Sequence, residues 1–121
     1  MQMVVNMNNI EEILESELRI SNQEAKLFVL IVNKGKLNLE MISKMLHWSI
    51  DDADKVAKSL VSRGMIIDIT KSEYESLHPR FAVTNRYRRR CEEDHIIFKK
   101  NTKVDNIGML LEGHYNNARI K

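Results

Sequence analysis

The segment TNRYRRRCEED, residues 84–94, gathers most of the chain's candidate chemistry: guanidinium groups at Arg86, Arg88, Arg89 and Arg90, and the single thiol, Cys91. An imidazole, His95, follows at once. A guanidinium offers a rigid fork of donors that matches phosphate or carboxylate. A helix capped by Thr84 or Asn85 and running to about Lys100 is expected here. That start puts the arginines in the first turns, where the helix end disfavours a cation by about 0.3–1 kcal/mol. An internal ladder is one compensation: Arg88 precedes Glu92 by four residues, Arg89 precedes Glu93, and Arg90 precedes Asp94. Each such pair gives only about 0.2–0.5 kcal/mol, and less with the base on the N-terminal side. Arg86 has no partner in that ladder. An external anion is the other compensation. At 100° per residue Arg86, Arg89 and Arg90 share one face, while Tyr87, Cys91 and Phe98 share another that can pack inward. The expectation is therefore a phosphate backbone held by Arg86, Arg89 and Arg90 beside Arg80 and Lys71, with Arg88 pointing elsewhere.

Cys91 and His95 stand four apart and could share a metal, but the sequence offers no third ligand, so Cys91 is assigned to the core and no metal is expected. The remaining histidines are scattered. There is no nucleophile–base pair, phosphate loop or paired-acid signature, so the reading is a non-enzyme without cofactor.

These side chains need a scaffold, and helical periodicity supplies most of it. NNIEEILESEL carries Ile10, Ile13, Leu14 and Leu18 at helical spacing. In SNQEAKLFVLIVNKG, Ser21 and Glu24 form a capping box and Gly35 marks the stop. A shorter helix capped by Asn38 turns inward Leu39, Ile42, Met45 and Leu46. The next begins at a second box, Ser49 with Asp52, buries Ile50, Ala53, Val56, Ala57 and Leu60, and ends at Gly64. Only the residues around His47, Trp48 and Ser49 separate these two helices, which is a helix-turn-helix pattern. MIIDIT then reads as a strand, KSE as a turn and YESLH as the returning strand, which Pro79 ends. In the C-terminal part Thr102 with Asp105 can cap a new helix or lie within a longer one. There Ile97, Val104, Ile107 and Leu111 make a short heptad-like seam suited to pairing two protomers.

Composition sets the outer bounds. With 121 residues, four glycines and one proline, the chain fits one mainly helical unit. A lone cysteine forbids an internal disulfide and fits a reducing, cytoplasmic setting. No apolar run spans a bilayer, so no membrane partner is expected. Residues 1–62 hold seven bases and nine acids, whereas residues 63–100 hold nine and six, so an anionic partner is expected at the later part.

Order and motifs together resemble the DNA-binding domain of TrmB-like archaeal transcriptional regulators, over about residues 10–83. The likeness is carried by Ser21, Glu24, Ala25 and Lys26, by Gly35 and Ile42, and by Ser59, Leu60, Arg63 and Gly64. It implies a winged helix-turn-helix over residues 1–83. Larger members carry a sugar-binding domain that this chain is too short to contain; residues 84–121 read instead as a helical dimerisation segment. The implied function is a homodimeric regulator binding double-stranded DNA, with Lys55, Lys58, Ser59 and Ser62 of the recognition helix near bases and phosphates. Asp51, Asp52 and Asp54 depart from the usual recognition helix and weaken phosphate attraction. They favour an alternative, a winged helix that serves as a protein–protein interaction module in a transcription-associated complex. No small-molecule effector is assigned.

Overall fold

Helix α1, Ile10–Leu18, places Ile10, Ile13, Leu14 and Leu18 on one buried stripe and ends at Arg19, whose backbone turns left-handed at φ 56°. The computed structural model describes residues 5–119. Helix α2, Asn22–Lys34, opens on a complete capping box. Ser21 Oγ accepts the Glu24 N–H at 3.1 Å, and Glu24 Oε1 accepts the Ser21 N–H at 2.8 Å. With Ala25, Leu27, Phe28, Ile31 and Val32 all inaccessible, α2 is the axis of the core. Each large side chain buried there is worth about 1.5–3 kcal/mol.

Strand β1, Lys36–Asn38, leads directly into helix α3, Leu39–Leu46. Asn38 caps α3 by accepting the Met41 N–H at 2.8 Å. His47, left-handed at φ 59°, closes α3, and helix α4, Ile50–Ser62, starts three residues later. Strands β2, Ile66–Asp68, and β3, Glu73–Ser76, form an antiparallel hairpin, with Asp68 opposite Tyr74. The sequence reading has no counterpart for β1, which pairs with β3 and makes a three-stranded sheet ordered β1-β3-β2. Three residues carry too little alternation to reveal a strand; β1 exists because β3 offers it a free edge.

Helix α5 runs Pro79–Glu93, not from Thr84 to Lys100 as the caps suggest. Strand β3 already ends at Ser76, and Pro79 instead opens the helix, since a first-turn residue needs no N–H donor. His78 Nδ1 accepts the Arg80 N–H at 3.3 Å. The arginines consequently lie in the middle and last turns, where the unfavourable dipole argument no longer applies, and Arg90 sits in the last turn where a cation is favoured. Helix α6, Thr102–Arg119, follows a loop, and its cap is Asn101, whose Oδ1 accepts the Val104 N–H, rather than Thr102.

The two-part division at residue 84 therefore falls inside α5. Helix α6 packs along α5, α2 and α1 and so completes the common core. Val104, Ile107 and Leu111 are 2%, 0% and 0% exposed, each shielded by the chain's own helices, whereas Ile97 is 85% exposed in the preceding loop. Val104, Ile107 and Leu111 are thus already covered and the four do not make one continuous seam: a heptad-like spacing marks a buried stripe whether the covering surface is a partner or the same chain. Gly108 is the crossing point of α5 and α6; a Cβ there would stand 3.1–3.2 Å from Arg80. No helix among the described residues is long and apolar enough to cross a membrane.

Candidate nucleic-acid interface

Helix α4 turns Ala53, Val56, Ala57 and Leu60 into the core and leaves Lys55, Lys58 and Ser62 exposed. Its start is held by Ser49 Oγ, which accepts the Asp52 N–H at 3.0 Å, and Asp51 and Asp52 complement the positive helix end. One turn on, Lys58 Nζ lies 2.9 Å from Asp54 Oδ2. That hydrogen bond pushes the Lys58 pKa up, so the ammonium stays charged.

The β2–β3 turn brings a second base to the same place. Thr70 Oγ1 accepts the N–H groups of Ser72 and Glu73, which fixes the turn that carries exposed Lys71. Lys58 and Lys71 line one groove of about 400 Å3 together with Val61, Asp68 and Tyr74. Tyr74 is 2% exposed. Burial, with Asp54 and Asp68 nearby, raises its pKa against the opposing effect of Lys58, so its phenol keeps its proton. Tyr74 was not among the residues expected from the sequence; its alternation opposite Leu37 and Asp68 is the signal that places it in the sheet. Lys55 lies on the same exposed side of α4 with no ion-pair partner among the described residues. The electrostatics of this surface are mixed, because Asp51, Asp52 and Asp68 are exposed as well.

The arginines expected to join this surface do not. Arg86 is 2% exposed. Its Nε donates to the Leu18 carbonyl at 2.9 Å, Nη2 donates to the Arg19 carbonyl at 3.3 Å, and Nη1 and Nη2 both donate to Glu93 at 3.1 Å. It therefore satisfies the carbonyls left over at the end of α1, and cannot meet an outside phosphate. The bonds from Arg86 lower the Glu93 pKa. Arg90 Nε lies 2.9 Å from Asp94 Oδ2 as an ion pair without hydrogen-bond alignment, and Asp94 also meets Arg19 at 3.2 Å. Of the expected ladder only this rung forms.

Arg89 remains exposed but donates to the Ser62 carbonyl at 3.1 Å, at the end of α4 opposite its acidic start. Arg88 stacks over Phe98, with its guanidinium carbon 4.9 Å from the ring centre. Arg80 lies across Gly108 and reaches Glu112 at 3.7 Å, on the α6 side. Ser59 is also withdrawn from the surface role: its hydroxyl donates to Glu24 Oε2, which also accepts from Arg63 Nε at 2.6 Å. Glu24 is thus a buried knot between the start of α2 and the end of α4. Burial raises its pKa, but the bonds from Ser21, Ser59 and Arg63 outweigh that and hold it below its ordinary value. The residues Ser21, Glu24, Ser59 and Arg63, far apart in sequence, meet physically. Cys91 is a buried core thiol at 1% exposure.

Of the residues expected at a nucleic-acid surface, the structure brings Lys58 and Lys71 together, leaves Lys55 and Ser62 exposed on the same helix, and sends Ser59, Arg80, Arg86, Arg89 and Arg90 to other tasks. Compared with known proteins, the chain matches no family model, no curated protein and no solved structure.

Proposed function

We propose that this chain is a winged-helix DNA-binding protein acting in transcription control. In this reading α3 and α4 are the helix-turn-helix, the β2–β3 hairpin is the wing, and α4 meets the major groove while the wing turn grips phosphate. The observation that carries it is the shared groove lined by Lys58 of α4, Lys71 of the hairpin turn and Tyr74. Two bases from two elements on one concave strip suit a phosphate backbone better than a scattered pair does. Lys55 adds a third base, and the motif resemblance to TrmB-like regulators points the same way.

The exposed acids make this a weak and strongly salt-dependent binder as one unit. A homodimer raises the effective concentration of the second unit. Its interface must come from side chains outside the core, such as exposed Ile97 and Met109, because Val104, Ile107 and Leu111 are already covered.

A protein-interaction module is the second reading, and a specific surface favours it. Met41 and Met45 of α3 and Ile50 of α4 are each 41–46% exposed, and Ile50 directly precedes exposed Asp51 and Asp52. Fluorescence anisotropy with a random duplex at two salt concentrations separates them. DNA binding predicts an affinity that falls steeply with salt, with each lost phosphate contact removing about 0.9 from the log–log slope. Binding that is absent at low salt, or indifferent to K58Q/K71Q, favours the protein partner.

A further inference from the structure

The chain has eight arginines, all within the described residues. Six of them, at 19, 63, 80, 86, 90 and 119, have a carboxylate within 4.0 Å. Arg88 and Arg89 do not, and these two line the same open groove. That groove, about 460 Å3, lies between the end of α4 and the outer side of α5, within the roughly 300–1,000 Å3 of small-molecule sites. Arg63 and Glu92 complete its charged rim, and Leu77 and Phe81 supply its apolar lining. Arg63 is already neutralised by Glu24, so Arg88 and Arg89 meet Glu92 as the one carboxylate lining the groove, while Glu93, bonded to Arg86, acts on Arg89 only from beyond 4.0 Å.

Both guanidiniums are held ready. Arg89 is oriented by one Nη1–H on the Ser62 carbonyl and stacks close to Gly64, whose φ of 78° turns the chain beneath it; its other donors remain available. Arg88 lies over Phe98, and a stacked guanidinium keeps its in-plane donors free. Phe81, which lines the same groove, is 58% exposed and so leaves a ring face open. Asn85 adds an amide that both donates and accepts.

We propose that this groove binds a phosphate monoester bearing a flat ring, of the mononucleotide class, with the phosphate between Arg88 and Arg89 and the ring on Phe81. Fork-shaped donors select phosphate geometry, the exposed ring offers a stacking face, and Asn85 reads a polar ring edge. The site stands apart from the α4–wing groove, so the proposal does not rest on the DNA reading.

Calorimetric titration of the full chain with AMP, adenosine and inorganic phosphate tests it. AMP is expected to bind saturably, with adenosine and phosphate each at least about tenfold weaker, since each carries half of the recognition. R88Q/R89Q should weaken AMP by more than about tenfold with unchanged circular dichroism, and F81A should weaken AMP while leaving phosphate unaltered. Absence of AMP binding up to about 10 mM, or equal affinity in R88Q/R89Q, overturns the proposal. So does a result in which R88Q/R89Q abolishes duplex binding and AMP fails to bind, because the arginines then hold nucleic acid directly. Loss of duplex binding in K58Q/K71Q with AMP binding intact supports two separate sites.

Discussion

Arg86 and Arg89 stand one turn apart on α5 and make the same kind of bond, a guanidinium donating to the last carbonyls of another helix. Arg86 closes α1 and is sealed, with Glu93 completing its shell; Arg89 closes α4 from the exposed side and has no carboxylate within 4.0 Å among the described residues, only the longer-range charge of Glu93. One arginine is spent inside the fold, whereas the other retains donors that face solvent. Identical residue types in one run therefore do different work, and what divides them is burial and the presence of a carboxylate rather than position in the motif.

The largest effect should come from the sealed member. R86M removes a buried guanidinium that satisfies two carbonyls and an acid, and should cost about 3 kcal/mol in urea unfolding, whereas R89M should change stability by about 0.5 kcal/mol or less. Equal losses in the two variants would erase the contrast. G108A comes next: the added methyl meets Arg80 at 3.1–3.2 Å, and the α5–α6 crossing should lose about 1–3 kcal/mol.

Glu24 provides a related test on the opposite charge. Its pKa is lowered in the folded chain, so the unfolded state takes up the proton first as acid is added. Its stabilisation is complete above its ordinary value of 4.5 and is lost as pH falls through the lower folded value. E24Q should destabilise the fold at pH 7 by about 1–3 kcal/mol and flatten the stability profile below about pH 4.5; a profile that stays steep would locate the acid sensitivity elsewhere. The smallest change in stability is expected for K58Q/K71Q, whose urea midpoint should match that of the parent chain, because both side chains are exposed and the pair with Asp54 is a surface one.

The same contrast explains what the sequence could and could not reveal. The complete capping box of Ser21 and Glu24, the Ser49 cap (whose expected return bond from Asp52 does not form), the stops at Gly35 and Gly64, and the four helices up to residue 62 follow from local chemistry that needs no distant partner. The start of helix α5 escaped because Pro79 reads as a strand end and Thr84 and Asn85 read as caps, although Ala82, Val83, Tyr87 and Cys91 already keep helical spacing back to Pro79. The burial of Arg86 escaped separately, because an arginine on a helix reads as a surface residue. Its carbonyl partners lie 68 and 67 residues away, a distance over which periodicity carries no signal. Strand β1 was hidden for a similar reason, since its partner β3 lies beyond α3, α4 and β2. Of the candidate surface, the lysines were visible as exposed charges, whereas Tyr74 became a groove wall only through strand pairing. The buried C-terminal stripe was visible too, but spacing alone does not say whether the covering surface belongs to the same chain.

The account's central claim is that nucleic acid is met by the lysines of α4 and the wing while the α5 arginines serve other ends. Amide NMR of the labelled chain during addition of a short duplex tests this residue by residue. The account predicts shifts concentrated at Lys55, Lys58, Lys71 and Tyr74, with Arg86 and Arg90 still. Shifts centred on Arg88 and Arg89, with the α4–wing groove unmoved, would contradict it.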